Sequence, residues 1–373
     1  MGYKDLHDEP FYESTIFKLE IFEDYAKAWI PIFVNQSYIS EIHIFDFFAG
    51  TGYDKNGIQG SPIRILETLK GHQRSLIQKG VNVVVHLNEF EPKKREQKKF
   101  ESLKNFCSIF LDKNKNLKNR IAIRYYNEDF ETLFPKLFSL INKNPSLVYL
   151  DQNGIKFLSE KYFLELEKTK QTDFLYFVSS SYFWRFGEKD EFKIHIDIDM
   201  AEAKKHDYKL IHRNITEQIR QKLPSNTNLK LYPFSIKKGA NIHGIIFGAS
   251  HPRAVDKFLS IGWKRNGTNG DANFDIDEDS GKCQLDLFEP KKLTKIESFK
   301  EKVKLAILKN EIKDNIQLLE YVYSQGHIPK HATECLKKMK KDGIITYEGR
   351  SPLITYENVY KNNKYTQYKI IGK

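Results

Sequence analysis

The apolar positions of this chain change period several times, and each change marks an element. From Lys18 to Phe33 (KLEIFEDYAKAWIPIF), Leu19, Phe22, Tyr25, Ala26 and Trp29 recur at helical spacing. This predicts an amphipathic helix that packs on whatever follows. IHIFDFF (42–48) is an apolar run too short for a helix and is closed by turn residues. SPIRILETLKGHQRSLIQKG then reads as a helix with Ser61 at its N-cap and Pro62 at the first helical position. VNVVVHLNEF (81–90), IAIRYY (121–126), LVYLD (147–151) and FLYFVSS (174–180) are further strands, with helical stretches between them. Strands alternating with helices at this spacing specify a parallel sheet with right-handed crossovers.

After the fifth strand the rhythm changes. A polar helical stretch (201–222) leads into NLKLYPFSIKK (228–238) and NIHGIIFGAS (241–250), which Gly239-Ala240 joins as an antiparallel hairpin. Five parallel strands closed by an antiparallel pair is the layout of S-adenosylmethionine (SAM) methyltransferase-like Rossmann domains; NAD-type sheets continue with a parallel strand. This first domain is expected to span 1–265 with its N-terminal helix. Residues 266–294, rich in Gly, Asn and Asp at first, read as a linker. In 295–373 one or two helices end at Gly326, another runs from Pro329 to just before Gly343, and two short strands (IITYEG and YTQYKIIG) follow. Helix, helix, then a two-stranded ribbon is the winged-helix pattern.

Charge sharpens this division. Residues 291–373 hold 18 Lys and Arg against 9 Asp and Glu, a net of +9 out of the whole chain's +11. Such asymmetry points to an anionic partner, nucleic acid first, with a solvated Lys-rich surface as the competing reading. With 40% hydrophobic and 13% aromatic residues the chain can bury a core, so wholesale disorder is excluded. No membrane-length apolar stretch and no secretory leader is evident, and Cys107, Cys283 and Cys335 are too scattered for a disulfide framework or a zinc knuckle. The expectation is a cytoplasmic protein.

Four strand ends carry candidate chemistry. Asp46-Phe-Phe-Ala-Gly50-Thr-Gly52 follows the first strand, where glycines admit a close ligand and the next helix offers its first amides. An extra loop, YDKNGIQG, separates these glycines from the helix. Glu89, at the tip of the second strand, suits ribose hydroxyls, with Asn88 and Glu91 as neighbouring alternatives. Asp129, after the third strand, stands where SAM folds bond the adenine amine, or else caps the next helix. Asp151, after the fourth strand, is the candidate to orient or deprotonate a methyl acceptor. The prolines of amino-methyltransferases and the Pro-Cys of cytosine-C5 enzymes are both absent there, so the acceptor class is not readable.

Three further segments add to the picture. His195-x-Asp197-x-Asp199 resembles a metal pattern, but without other clustered ligands it reads as a polar lead-in to a helix, and no metal is expected. In SSSYFWRFG (179–187), Tyr182, Phe183, Trp184 and Arg185 are suited to clamp a base, or to pack on the opening helix. Gln284-Leu285-Asp286-Leu287-Phe288 resembles the bacterial sliding-clamp-binding pentapeptide, with Leu287 and Phe288 as anchors; docking of the linker on the first domain is the alternative.

KLEIFEDYAKAWIPIF, the DFFAGTG loop running into GSPIRILE, the strand-four Asp-x-x-Gly and HPRAVDKFLSIGWKRNGTNG together resemble the three-Cys-motif partner protein (TcmP) family over roughly residues 15–290. The resemblance implies a methyltransferase-like domain, a C-terminal helical module and pairing with a three-cysteine protein reminiscent of radical-SAM enzymes. That family usually has Pro after the strand-four Asp, where this chain has Gln152. The resulting expectation is a SAM-dependent methyltransferase-like protein acting on or with nucleic acid, with Asp46, Gly50, Gly52, Glu89 and Asp129 around SAM. The alternative is a non-catalytic nucleotide- or nucleic-acid-binding subunit of a three-cysteine protein; a place in a phage-defence or mobile-element operon is also envisaged. Lys330, Lys337, Lys338 and Lys341 on the helix from Pro329, with Arg350 near the wing, are the expected phosphate contacts.

Overall fold

All seven strands expected in the first domain form one sheet, in the order β3-β2-β1-β4-β5-β7-β6. The computed structural model describes residues 10–92, 98–152, 158–193, 196, 198–282 and 292–371. The strands are β1 (Glu41–Asp46), β2 (Asn82–Asn88), β3 (Ile121–Tyr126), β4 (Ser146–Leu150), β5 (Thr172–Val178), β6 (Lys230–Lys238) and β7 (Asn241–Ala249). β1 to β5 pair in parallel, while β7 is antiparallel to both β5 and β6. Lys238 faces Asn241 across the hairpin, and Gly239 takes the left-handed φ of 57° that so short a turn requires. The parallel sheet closed by an antiparallel hairpin is the Rossmann-like methyltransferase fold. Its strand order reverses between β1 and β4, which places a crevice outside their C-terminal ends.

The central strands are Val, Ile and Phe-rich and buried along almost their whole length, as strands covered on both faces must be. The opening helix (Glu13–Val34) begins five residues earlier than its periodicity suggested. It buries Phe22, Tyr25 and Trp29 completely, and Phe22 stacks on Tyr149 of β4 at 4.1 Å. The Tyr25 hydroxyl donates to Asp173 of β5 at 2.7 Å, and burial pushes that carboxyl up to about 7. A polar chain crosses three strands on one face of the sheet. Glu41 meets His43 at 2.9 Å, His43 meets His86 at 3.0 Å, and His86 meets the Tyr126 hydroxyl at 2.9 Å. Both imidazoles are buried, which holds His43 below its ordinary value and takes His86 down to about 3.

The chain divides into two compact units at His251/Pro252. The helix Pro252–Arg265, expected within the first domain, therefore belongs to the second. Within that unit its Trp263 donates to the Gly326 carbonyl at 2.9 Å and packs on His327 and His331. Its Asp256 accepts from the Tyr323 hydroxyl at 2.8 Å. Residues 266–282 are not an open linker either. Asn266 and Asn269 hold the Phe274 carbonyl, Ala272 and Ile276 are buried, and Lys295 bonds Asp271 at 2.9 Å. Amide side chains stand in here for regular secondary structure.

Helices Lys295–Leu308, Asn315–Ser324 and Pro329–Lys341 make the winged-helix core, burying Phe299, Val303, Leu319, Val322, Leu336 and Met339. Thr294 and Glu297 form a reciprocal capping box, and Asp314 caps the second helix. β8 (Ile345–Thr346) and β9 (Lys369–Ile370) pair over two residues only, shorter than the expected strands. The wing between them is organised by a side chain instead of a ladder. Buried Asn315 donates to the carbonyls of Leu353 (3.1 Å) and Lys364 (2.8 Å) and accepts from the Thr366 amide at 2.9 Å.

Candidate functional site

The crevice at the switch point gathers residues from β1, β2 and β4. Asp46 ends β1 with 1% of its surface exposed. Its Oδ1 accepts from the Phe48 amide at 3.2 Å, and its Oδ2 has no hydrogen-bond partner. Burial raises this carboxyl to about 7; hydrogen bonding by the Ser61 side chain and the Phe48 amide opposes the rise, and the negative charges of Asp151 and Glu89 add to it. A buried carboxyl with one orphaned oxygen is a poor stabiliser of the fold and a ready acceptor for a ligand's donor.

Beyond Asp46 the backbone turns through Gly50 (φ 67°) and Gly52 (φ 97°), both in the left-handed region. The Gly50 amide donates to Glu89 Oε2 at 2.8 Å, so the tip of β2 is drawn onto the glycine loop. A Cβ on Gly52 would touch Phe106 and Ile63 at 3.5–3.6 Å; the side of this glycine is lined by protein. The extra loop is closed by Asp54, whose carboxylate accepts from the amides of Phe11, Asn56 and Ile58 at 2.7–2.9 Å. It returns the chain to Gly60, which bonds the Gly52 carbonyl at 2.8 Å and is the N-cap of the helix Ser61–Gly71. The cap thus falls one residue before the Ser61 expected, and this helix start has no side-chain cap.

The alternatives to Glu89 are committed elsewhere. Asn88 is 2% exposed and ties the Phe47 and Glu128 carbonyls and the Glu128 amide together. Glu91 accepts from the amides of Lys99 and Phe100, at the start of the helix Lys98–Lys113. Phe90 beside Glu89 is 42% exposed, an apolar ring at the crevice edge. Asp129 is the N-cap of the helix Phe130–Lys143, accepting from the Glu131 amide at 3.0 Å. Its expected contact with a ligand must therefore coexist with capping.

Asp151, at the end of β4, is bonded by a lysine that sequence reasoning missed. Lys18 of the opening helix reaches Asp151 Oδ1 at 2.5 Å, and the Tyr149 hydroxyl donates to Oδ2 at 3.3 Å. Lys18 is only 8% exposed and its ammonium lies 4.1 Å from the Phe177 ring centre. A lone Lys inside an amphipathic helix reads as solvent-facing, and only the apolar residues around it hinted otherwise.

In the C-terminal unit, Lys330, Glu334, Lys337, Lys338 and Lys341 are exposed on the helix Pro329–Lys341, while Ala332, Cys335, Leu336 and Met339 face inward. Arg350 is exposed in the wing; Tyr347 is 5% exposed and packs on Tyr368. Lys340 is turned aside: its ammonium bonds the carbonyls of Tyr347 (2.7 Å) and Gly349 (2.8 Å), joining this helix to the wing. Asp199 caps the short helix Met200–Ala203, whereas His195, Asp197 and the segment Gln284, Leu285, Leu287 and Phe288 lie outside the described residues. Among the described residues no group of three metal-ligating side chains converges, and no helix is long and apolar enough to cross a membrane.

Residues 273–352 match the family described as the GMT-like wHTH domain, in agreement with the winged helix seen here. Against curated proteins the sequence finds no match. Among solved structures, the chain is similar to the O-methyltransferase TomG of Streptomyces achromogenes, involved in tomaymycin synthesis and solved in complex with SAM. That likeness has a TM-score of 0.33 and 8% identity, covering 64% of this chain and 89% of TomG.

Proposed function

We propose that the first unit binds SAM and that the protein works on nucleic acid, to which the winged-helix unit binds. The observation that carries this reading is the meeting of Asp46, Gly50, Glu89 and Asp151 at the crevice where the strand order reverses. In this reading the Glu89 carboxylate takes the ribose hydroxyls, the amides after Gly50 and the start of the helix at Ser61 approach the methionine part, and the orphaned Asp46 oxygen accepts from its amine. Phe90 and Asp129 flank the adenine. SAM supplies an electrophilic methyl group; Asp151, positioned by Lys18 and Tyr149, orients an acceptor or takes its proton. Lysine predominates over arginine on the winged helix, which favours phosphate contacts over bidentate base reading.

Calorimetric titration with SAM, NAD and ATP tests the ligand. SAM should bind, and Glu89→Ala should weaken it by about 1.5 to 3 kcal/mol through loss of charge-assisted bonds. Heat with NAD or ATP and none with SAM would refute the assignment. The second reading, a partner subunit without catalysis, draws on Gln152, which stands where the resembling TcmP family has proline. Methyl transfer from labelled SAM to DNA, tRNA or protein separates the two. Pairing with a three-cysteine protein, docking to a sliding clamp through 284–288, and a phage-defence setting belong to the same proposal. Co-purification with each partner tests the first two.

A further inference from the structure

Three consecutive serines after β5 hold a platform beside Asp151. Ser179 Oγ meets His243 Nδ1 at 3.0 Å, and Ser180 Oγ meets buried His212 at 2.7 Å. Ser181 bonds both the amide and the carbonyl of Ile242, at 2.6 and 2.9 Å. A Cβ on Gly244 would lie 2.3 Å from the His212 ring, so the hairpin and this ring fit at contact distance. The helix Ser180–Phe186 is thereby fixed to β7. Phe183 points inward, fully buried, and Trp184 packs edge-on to Tyr208 at 5.0 Å. Tyr182 and Arg185 are left on the outside; Tyr182 is 44% exposed and Arg185 bonds the neutral Asn241 side chain.

Cations converge on this platform from three elements. Lys18 lies over Phe177, and the His243 ring stacks on Phe177 from 5.8 Å. Lys238, opposite Asn241 in the hairpin, lies 3.5 Å from the centre of the Tyr12 ring, itself 46% exposed. Burial, together with the positive charges of Lys238, Lys18 and Arg185, takes His243 down to about 4. A neutral imidazole near three cations, of which Lys18 is paired with Asp151 and Lys238 and Arg185 belong to the hairpin and the helix after β5, together with the exposed rings of Tyr12 and Tyr182, suits phosphates and a base face. The Lys18–Asp151 bond ties this platform to the end of β4.

We propose that this rim receives a single strand of nucleic acid, with phosphates on Arg185 and Lys238 and an unstacked base on Tyr182, delivering a nucleotide toward Asp151. The inference deepens the reading above, since it names the acceptor class of that site. It draws on residues of the first unit alone, and not on the lysines assigned above to the winged helix. The full-length protein is titrated at low salt into a fluorescein-labelled single strand, as DNA and as RNA, and into the matching DNA duplex.

Arg185→Glu with Lys238→Glu should weaken single-strand binding about tenfold or more, in line with two lost phosphate contacts. Tyr182→Ala should cost about fivefold, and Tyr182→Phe should restore it, because a stacking ring needs no hydroxyl. Duplex affinity should stay within about twofold throughout. Single-strand affinity unchanged in these variants, equal losses on duplex, or a wild-type chain that binds no single strand would each overturn the proposal. The melting temperature reports folding of the same variants, and SAM calorimetry is run beside it. The calorimetry separates the two readings: wild-type protein that binds the strand through the rim but not SAM sinks the donor assignment and leaves the rim standing.

Discussion

Replacing Lys18 by Met tests how the Asp151 carboxylate is held. Methionine keeps an unbranched stem of similar length against the Phe177 ring, so the change removes charge and little packing. Breaking a buried ion pair from one side costs about 3 to 5 kcal/mol, because the remaining charge is left without compensation. Here the cost is smaller. The Asp151 side chain keeps 17% of its surface in water and retains the Tyr149 hydroxyl at 3.3 Å. We expect a loss of about 2 to 3 kcal/mol, read as a lowered urea midpoint at unchanged slope. Asp151→Asn alone strands the Lys18 ammonium, which is only 8% exposed, and should cost a similar amount. With both replaced no unpaired charge remains, so the double variant should be more stable than the sum of the single losses by about 1 to 3 kcal/mol. Strictly additive losses, or a Lys18→Met protein within about 0.5 kcal/mol of wild type, would show that the pair is a surface contact and that Asp151 is not positioned by it.

The remaining predictions concern ionisation, the winged helix and the wing. Asp46 rises from 3.8 to about 7 on folding, so the stability it contributes is complete below about pH 4 and is lost as pH climbs through 7. Asp46→Asn should flatten that decline by up to about 4 kcal/mol; parallel melting-temperature profiles for the two proteins would contradict it, and the Asp173 contribution, of the same sign, should persist. Lys337→Glu with Lys341→Glu should abolish duplex binding without lowering the melting temperature, and the wild-type salt dependence should have a slope of about −0.9 per phosphate neutralised. Unaltered duplex affinity would instead make this face a merely soluble one. Asn315→Ala leaves two carbonyls and one amide of the wing unsatisfied, at a cost of about 1 to 3 kcal/mol, and hydrogen exchange at Thr366 should accelerate while the helix Pro329–Lys341 stays protected.

The parallel sheet and its closing hairpin were legible because period and turn chemistry agree at every step. β2 to β4 are apolar runs bounded by Gly, Asn or Pro, β5 is followed by three serines, and the Gly239-Ala240 pair allows only a tight reversal. The carboxylates at the strand ends were legible too, since topology puts every strand's C-terminus at one edge. What escaped was side-chain commitment across long separations. Lys18 and Asp151 lie 133 residues apart, and no local pattern links them. Asn88 and Glu91 looked as eligible as Glu89 until their backbone bonds were seen. Residues 266–282 read as a linker because Asn, Gly and Asp favour turns, yet the same amides, aimed inward, build an ordered segment. The wing was misjudged for a related reason: one buried Asn replaces most of a β-ladder.

The chain from Glu41 through His43 and His86 to Tyr126 has a direction. An ionised Glu41 can only accept, so His43 must carry its hydrogen on Nε2 and present a bare Nδ1. His86 must then donate from Nε2 and is left to accept at Nδ1, where the Tyr126 hydroxyl completes the sequence. Each tautomer is thus dictated by its neighbour, and two neutral imidazoles act as repeaters of one choice. The choice originates at a side chain that is 44% exposed at the N-terminal edge of the sheet and ends at a hydroxyl at the opposite edge, one residue before the loop that leads to Asp129. Reversing the orientation at either end requires every proton between them to change sides.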